Sequence, residues 1–150
     1  MLVNQDFSDL FSALNAAEAR YLVVGGYAFS YHAEPRYTKS LDIWIEPNEH
    51  DADAVWRALA AFGAPMTMIT RTELASARMV FQIGVPPNRI DVMTSIDGVE
   101  FTDAWNGRVR TVYAGVPIDL IGKAELIQNK MASGRAQDLI DVERLTRRWG

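Results

Sequence analysis

Two aspartates, Asp42 and Asp91, stand in the middle of short apolar runs, Leu41-Asp42-Ile43-Trp44-Ile45 and Ile90-Asp91-Val92. Aspartate is depleted from strand interiors, so each position asks for a chemical reason. Two such strands lying side by side would converge their carboxylates on one face. Magnesium is normally held by one or two carboxylates together with substrate phosphates and water. An ion pair, Asp91 with Arg89 for instance, or a solvated sheet face explains the same residues, and their types alone leave both readings open. Ser40, two positions before Asp42, places a neutral oxygen on the same side of its strand. Gly25-Gly26 follows the apolar run Tyr21-Leu22-Val23-Val24. Paired glycines let backbone amides approach a phosphate because no Cβ intervenes, and they equally make a tight turn. Neither G-x-G-x-x-G nor G-K-[ST] occurs, so the pair is neither a dinucleotide fingerprint nor a P-loop.

A further polar group lies toward the C-terminus: Lys130, Arg135, Asp138 and Asp141. Arg135 with Asp138, and Asp138 with Asp141, are three residues apart and share a helix flank. A compact ammonium beside a guanidinium suits a polyphosphate, and a solvated helix laced with ion pairs accounts for the same spacing. His50 lies in the polar run Asn48-Glu49-His50-Asp51 and is expected at an exposed helix start. His32, beside Tyr31 near a loop, is expected to be structural. Trp44 shares a face with Asp42 and is expected to pack in the core rather than stack a base.

The elements that must hold these residues follow from periodicity. Leu41, Ile43 and Ile45 alternate with Ser40, Asp42, Trp44 and Glu46, which predicts a half-buried strand over 41–46. Residues 79–85 and 89–94 read as two strands of an antiparallel hairpin around Pro86-Pro87, and 108–113 reads as another strand. A strand over 21–24 closes at the glycines, and a short helix over 27–32 stops before Pro35. Phe7, Leu10, Phe11 and Leu14 share one helical face. Asn48 caps a helix with Val55, Leu59 and Phe62 inward, ended by Gly63 and Pro65. Residues 122–133 form a helix with Leu126 and Ile127 inward, stopped by Gly134. Residues 135–147 form a last helix with Leu139, Ile140, Val142 and Leu145 as its stripe. Helices that lead and trail a group of strands predict an α+β fold with a small mixed sheet flanked by helices.

The chain of 150 residues suits a single domain over 1–150 with its own core. Apolar residues at 49% and charged residues at 23% are a globular balance and exclude a disordered chain. The absence of cysteine excludes disulfides, a zinc ribbon and a thiol nucleophile; two histidines exclude a three-histidine metal site. A net charge of −4 excludes a DNA-coating protein but not a local basic patch. No apolar stretch is long enough to span a membrane, and the acidic start MLVNQDFSDLF does not read as a signal peptide. A reducing cytoplasm is the expected compartment.

Taken in order, these residues resemble the polymerase-β-like nucleotidyltransferases. Gly25-Gly26 followed by Ser40-Leu41-Asp42 is similar to the first motif of that superfamily, a Gly-Gly or Gly-Ser turn and then Asp-x-Asp or Asp-x-Glu on a strand. Ile90-Asp91-Val92 resembles the third carboxylate, and Leu126-Ile127-Gln128-Asn129-Lys130 the lysine motif. Arg135-Ala136-Gln137-Asp138-Leu139-Ile140-Asp141 resembles the Arg-x-x-Asp-x-x-Asp motif of the abortive-infection and toxin–antitoxin branch, whose small stand-alone bacterial members the wording also resembles. The likeness covers residues 20–146. It implies a nucleotidyltransferase fold of the transferase class that moves a nucleoside monophosphate from an NTP to a hydroxyl. It implies catalytic residues Asp42, Asp91 and Ser40, with magnesium at Asp42 and Asp91 and the triphosphate at Gly25, Gly26, Lys130 and Arg135. Implied acceptors or partners are the 3′ end of a tRNA or other RNA, a protein hydroxyl, or a cognate antitoxin or toxin. One departure stands out: Ser40 takes the place of the first aspartate, which predicts weakened or lost transfer. The alternative is an inactive nucleotide- or RNA-binding module, or an antitoxin-type partner protein, on the same fold.

Overall fold

A computed structural model describes residues 4–147. Asn4 caps α1 (Gln5–Ala16) by accepting from the amides of Asp6 and Phe7. The buried strand β1 (Leu22–Val24) runs directly into α2 (Gly25–His32). Next come β2 (Ser40–Trp44) and α3 (Glu49–Phe62), the latter capped by Asn48 and closed by Gly63 in the left-handed region. A short 3-10 turn (Met66–Met68) and α4 (Arg71–Leu74) lead to β3 (Val80–Ile83) and β4 (Arg89–Met93). Then follow α5 (Phe101–Asn106), β5 (Val109–Tyr113), β6 (Val116–Leu120), α6 (Lys123–Ser133) and α7 (Ala136–Thr146).

The strands form one mixed sheet in the order β3-β4-β2-β1-β6-β5. β2 and β4 are parallel neighbours, as are β1 and β6; the remaining pairs are antiparallel, including the hairpin of β3 and β4. This is the α+β architecture that the periodicity predicts. Leu41, Ile43, Ile90 and Val92, which alternate with the polar residues of β2 and β4, are all buried in a core shared with Phe7, Leu10, Leu59 and Leu126. No helix among the described residues is long and apolar enough to cross a membrane.

Three expectations change and one holds. The glycine pair is not a free-standing turn: Gly25 and Gly26 open α2, so the helix begins two residues earlier than expected. The strand β6 and the helices α4 and α5 carry no strong periodic signal and were not expected; β6 has a proline at its second position. As expected, Trp44 packs in the core: it is fully buried edge-on to Phe101, 5.1 Å between centroids, and cannot stack a ligand base. The stripe assigned to the last helix is largely on the wrong side: Leu139 and Ile140 are exposed, whereas Asp138 and Asp141 are buried with Leu145. That inward face carries carboxylates because it packs on the cations Arg36 and Lys130.

Candidate functional site

The parallel pairing of β2 with β4 sets the site. Asp42 lies opposite Asp91, and Ser40 lies opposite Arg89, as Cα partners. Side chains two residues apart on a strand share a face, so these four occupy the corners of a rectangle about 4.8 Å across the strands and about 6.6 Å along them at standard strand geometry. Along one edge the Ser40 hydroxyl donates to Asp42 Oδ1 at 2.7 Å. Along the other, Arg89 grips Asp91 through two contacts, Nε to Oδ1 at 3.0 Å and Nη2 to Oδ2 at 3.1 Å. The ion pair foreseen for Asp91 is therefore present, and it coexists with the convergence of the two carboxylates.

The two aspartates differ in their surroundings. Burial is the largest influence on Asp42 and pushes its carboxyl up to about 6; the Ser40 hydrogen bond works against this, and the charge of Asp91 adds to it. Arg89 and Lys130 both draw the value back by their positive charge, which puts Lys130 within electrostatic reach of Asp42. Gly25 stands on the other side of Asp42. A Cβ at Gly25 would overlap Asp42 Oδ2, and its φ of +67° lies in the region that favours glycine. At Gly26 a Cβ would overlap the Cγ2 of Thr38. The N-terminus of α2 has no side-chain cap, so its first-turn amides remain donors for an anionic ligand.

The C-terminal group forms a second cluster, built around Asp141. This residue is buried and accepts from Arg36 through both guanidinium nitrogens at 2.8 and 2.6 Å, from Lys130 Nζ at 2.8 Å and from Gln137 at 2.9 Å. Burial alone would raise its carboxyl, but these hydrogen bonds outweigh it and hold the group well below the usual carboxylate range. Phe29 of α2 supports the cations, with Arg36 3.8 Å and Lys130 5.8 Å from its ring centroid. One short helix thus carries Gly25 beside Asp42 and Phe29 beneath Lys130. Arg135 sits farther out: its exposed side chain pairs with Asp138 at 2.8 Å and closes the first turn of α7.

The structure therefore brings Ser40, Asp42, Asp91 and Gly25 together, sets Gly26 one residue on, and places Lys130 at the margin, while Arg135 contacts α7 and not the carboxylates. Arg36, which binds Asp141 in the second cluster, was not singled out in the sequence. Its partner is 105 positions away, and no local spacing signals that. His50 is exposed, and His32 Nε2 donates to the Ile121 carbonyl, 2.7 Å away, as a structural residue would.

No group of three or more His, Cys, Asp or Glu side chains among the described residues is arranged to hold a metal ion. Two carboxylates, one of them gripped by Arg89, fall short of a free-standing metal site. They suit an ion that arrives with phosphate oxygens, because magnesium takes most of its shell from substrate and water.

No family model matches the chain, and no curated protein matches it. Among solved structures it is similar to the crystal structure of the lincosamide antibiotic adenylyltransferase LnuA bound to lincomycin. The TM-score is 0.56 at 15% identity, over 95% of this chain and 96% of that one. Likeness at that identity concerns the fold, and the fold is that of a nucleotidyltransferase.

Proposed function

We propose that the chain binds a nucleoside triphosphate with magnesium at the Asp42–Asp91 face and transfers a nucleoside monophosphate to a hydroxyl group. The observation that carries this reading is the register that sets Asp42 opposite Asp91 on a nucleotidyltransferase fold. In the reaction the acceptor oxygen bonds to the α-phosphorus, the bond from that phosphorus to the β-bridging oxygen breaks, pyrophosphate leaves, and the hydroxyl proton passes to water. Asp42 and Asp91 are the residues that would hold magnesium, which when bound neutralises phosphate charge and polarises the phosphoryl oxygens. The uncapped amides of α2 around Gly25 and Gly26 offer donors to the triphosphate. Lys130 contributes positive charge from the margin, and Arg135 contributes it from farther away.

The acceptors in view are an RNA 3′ end, tRNA included, and a protein hydroxyl, the latter covering the toxin–antitoxin setting that the motifs resemble. The structural neighbour, an adenylyltransferase of lincosamide antibiotics, adds a small-molecule acceptor to these. A second reading, nucleotide binding without transfer, is favoured by one observation: Ser40 offers a neutral oxygen, and Arg89 already occupies Asp91. The test is incubation with α-labelled ATP, CTP, GTP or UTP and magnesium, in the presence of total RNA, of the protein alone, or of lincomycin. Label on any acceptor, lost in Asp42→Ala, supports transfer. Bound label that never moves supports the second reading. Absence of nucleotide binding in every arm refutes both.

A further inference from the structure

We propose that Arg89 is a built-in cation that replaces one of two metal ions, so that the site takes a triphosphate with a single divalent ion. This rests on the nucleotide reading above and adds to it the ion count and the residue that sets it.

Charge and register both bear on the ion count. Paired-metal phosphoryl-transfer sites hold their ions roughly 3.5–4 Å apart, which requires shared anionic ligands that converge from several positions. Here the face offers four corners: two carboxylates, one hydroxyl and one guanidinium. The corner opposite Arg89 is Ser40, so the position where a further carboxylate would pair with a second ion is neutral, and its neighbour across the strands is already cationic. Arg89 binds both oxygens of Asp91. A guanidinium in that fork geometry presents a fixed positive charge with donors beyond those two bonds. Its side chain remains 25% exposed while that of Asp91 is 10% exposed, so the Arg89 side chain is the more accessible of the two. Asp42 differs in that its hydrogen bond comes from the neutral Ser40 hydroxyl and not from a cation. A divalent ion that brings phosphate oxygens therefore meets Asp42 free of any cation and Asp91 shared with Arg89, and a triphosphate lying across the face finds Arg89 where the other ion would be.

The ion count can be measured without any turnover. The probes are Mn(II), read by electron paramagnetic resonance, with inorganic tripolyphosphate as a base-independent ligand and α,β-methylene-ATP as a non-transferable nucleotide. The chain as it stands is expected to bind one Mn(II) per polyphosphate. Arg89→Gln should weaken tripolyphosphate binding about tenfold at limiting Mn(II) and steepen the dependence on the ion, the loss expected when a charge-assisted contact is removed. Arg89→Lys, which keeps the charge and guards against a folding defect in the glutamine variant, should retain one ion. The double variant Ser40→Asp with Arg89→Gln should bind two. Two ions in the unaltered chain, or polyphosphate affinity indifferent to Arg89→Gln in a folded variant, overturns the inference and leaves the nucleotide reading intact. Failure of either polyphosphate to bind to any version overturns both.

Discussion

At the scale of single residues, Asp42 is a buried acid whose ionisation costs the folded state stability. Its carboxyl is pushed up to about 6, chiefly by burial. In the unfolded chain it ionises near the ordinary value of 3.8, so between about pH 4 and pH 6 the folded state holds a proton that the unfolded state has lost. Stability therefore falls as pH rises through that window, and above it the folded chain carries a poorly solvated charge. Asp42→Asn removes this penalty. It should be roughly 1–3 kcal/mol more stable than the parent at pH 8 and nearly equal to it below about pH 4, by urea unfolding. The same substitution should abolish Mn(II)–polyphosphate binding, a gain and a loss that a purely structural aspartate would not combine. Both aspartates were legible in the sequence because an acid in an alternating apolar strand is conspicuous. The grip of Arg89 was legible as one of two readings, since two residues along a strand is a shared face. Its coexistence with the carboxylate pair was not, because only the register of β2 against β4 decides what faces what.

At the scale of elements, α7 shows how a periodic pattern can mislead. Leu139 and Ile140 suggested an apolar stripe, but the buried set is Asp138, Asp141 and Leu145, at helical spacing i, i+3 and i+7. A helix normally buries its apolar side; this one buries acids because Arg36 and Lys130 wait on the surface it covers. Removing one partner of such a pair strands the others. Asp141→Ala should lower stability by about 3–5 kcal/mol, with Asp141→Asn retaining part of it through its remaining acceptor. Thermal melts of the two variants check this. Nucleotide affinity should fall in both, because Lys130 loses its anchor next to the face that carries Asp42. The element boundaries at Asn48, Gly63 and Gly134 were legible from capping chemistry alone. The strand β6 was not, since its pairing with β1 and β5 is a property of the sheet and not of its five residues.

At the scale of the whole molecule, buried residues from Phe7 to Leu145 belong to one connected core, and the sheet links the first strand to the last. Unfolding should accordingly be a single transition, with tryptophan fluorescence and far-ultraviolet circular dichroism superimposing in urea. Two separated transitions would instead mark α6 and α7 as a unit of their own. The bond between Arg36 and Asp141 has a temporal meaning as well. Its partners are 105 residues apart. At translation speeds of about 5–20 residues per second, they are made roughly 5–20 s apart. A growing chain acquires the glycine pair first, then Asp42, then Arg89 and Asp91, and only with its last helix the carboxylate that fastens Lys130 and Arg36. Until α7 is synthesised, the nascent protein carries Asp42 and Asp91 without the clasp that steadies Arg36 and Lys130. The surroundings of Asp42 are thereby completed only after α7 has been made.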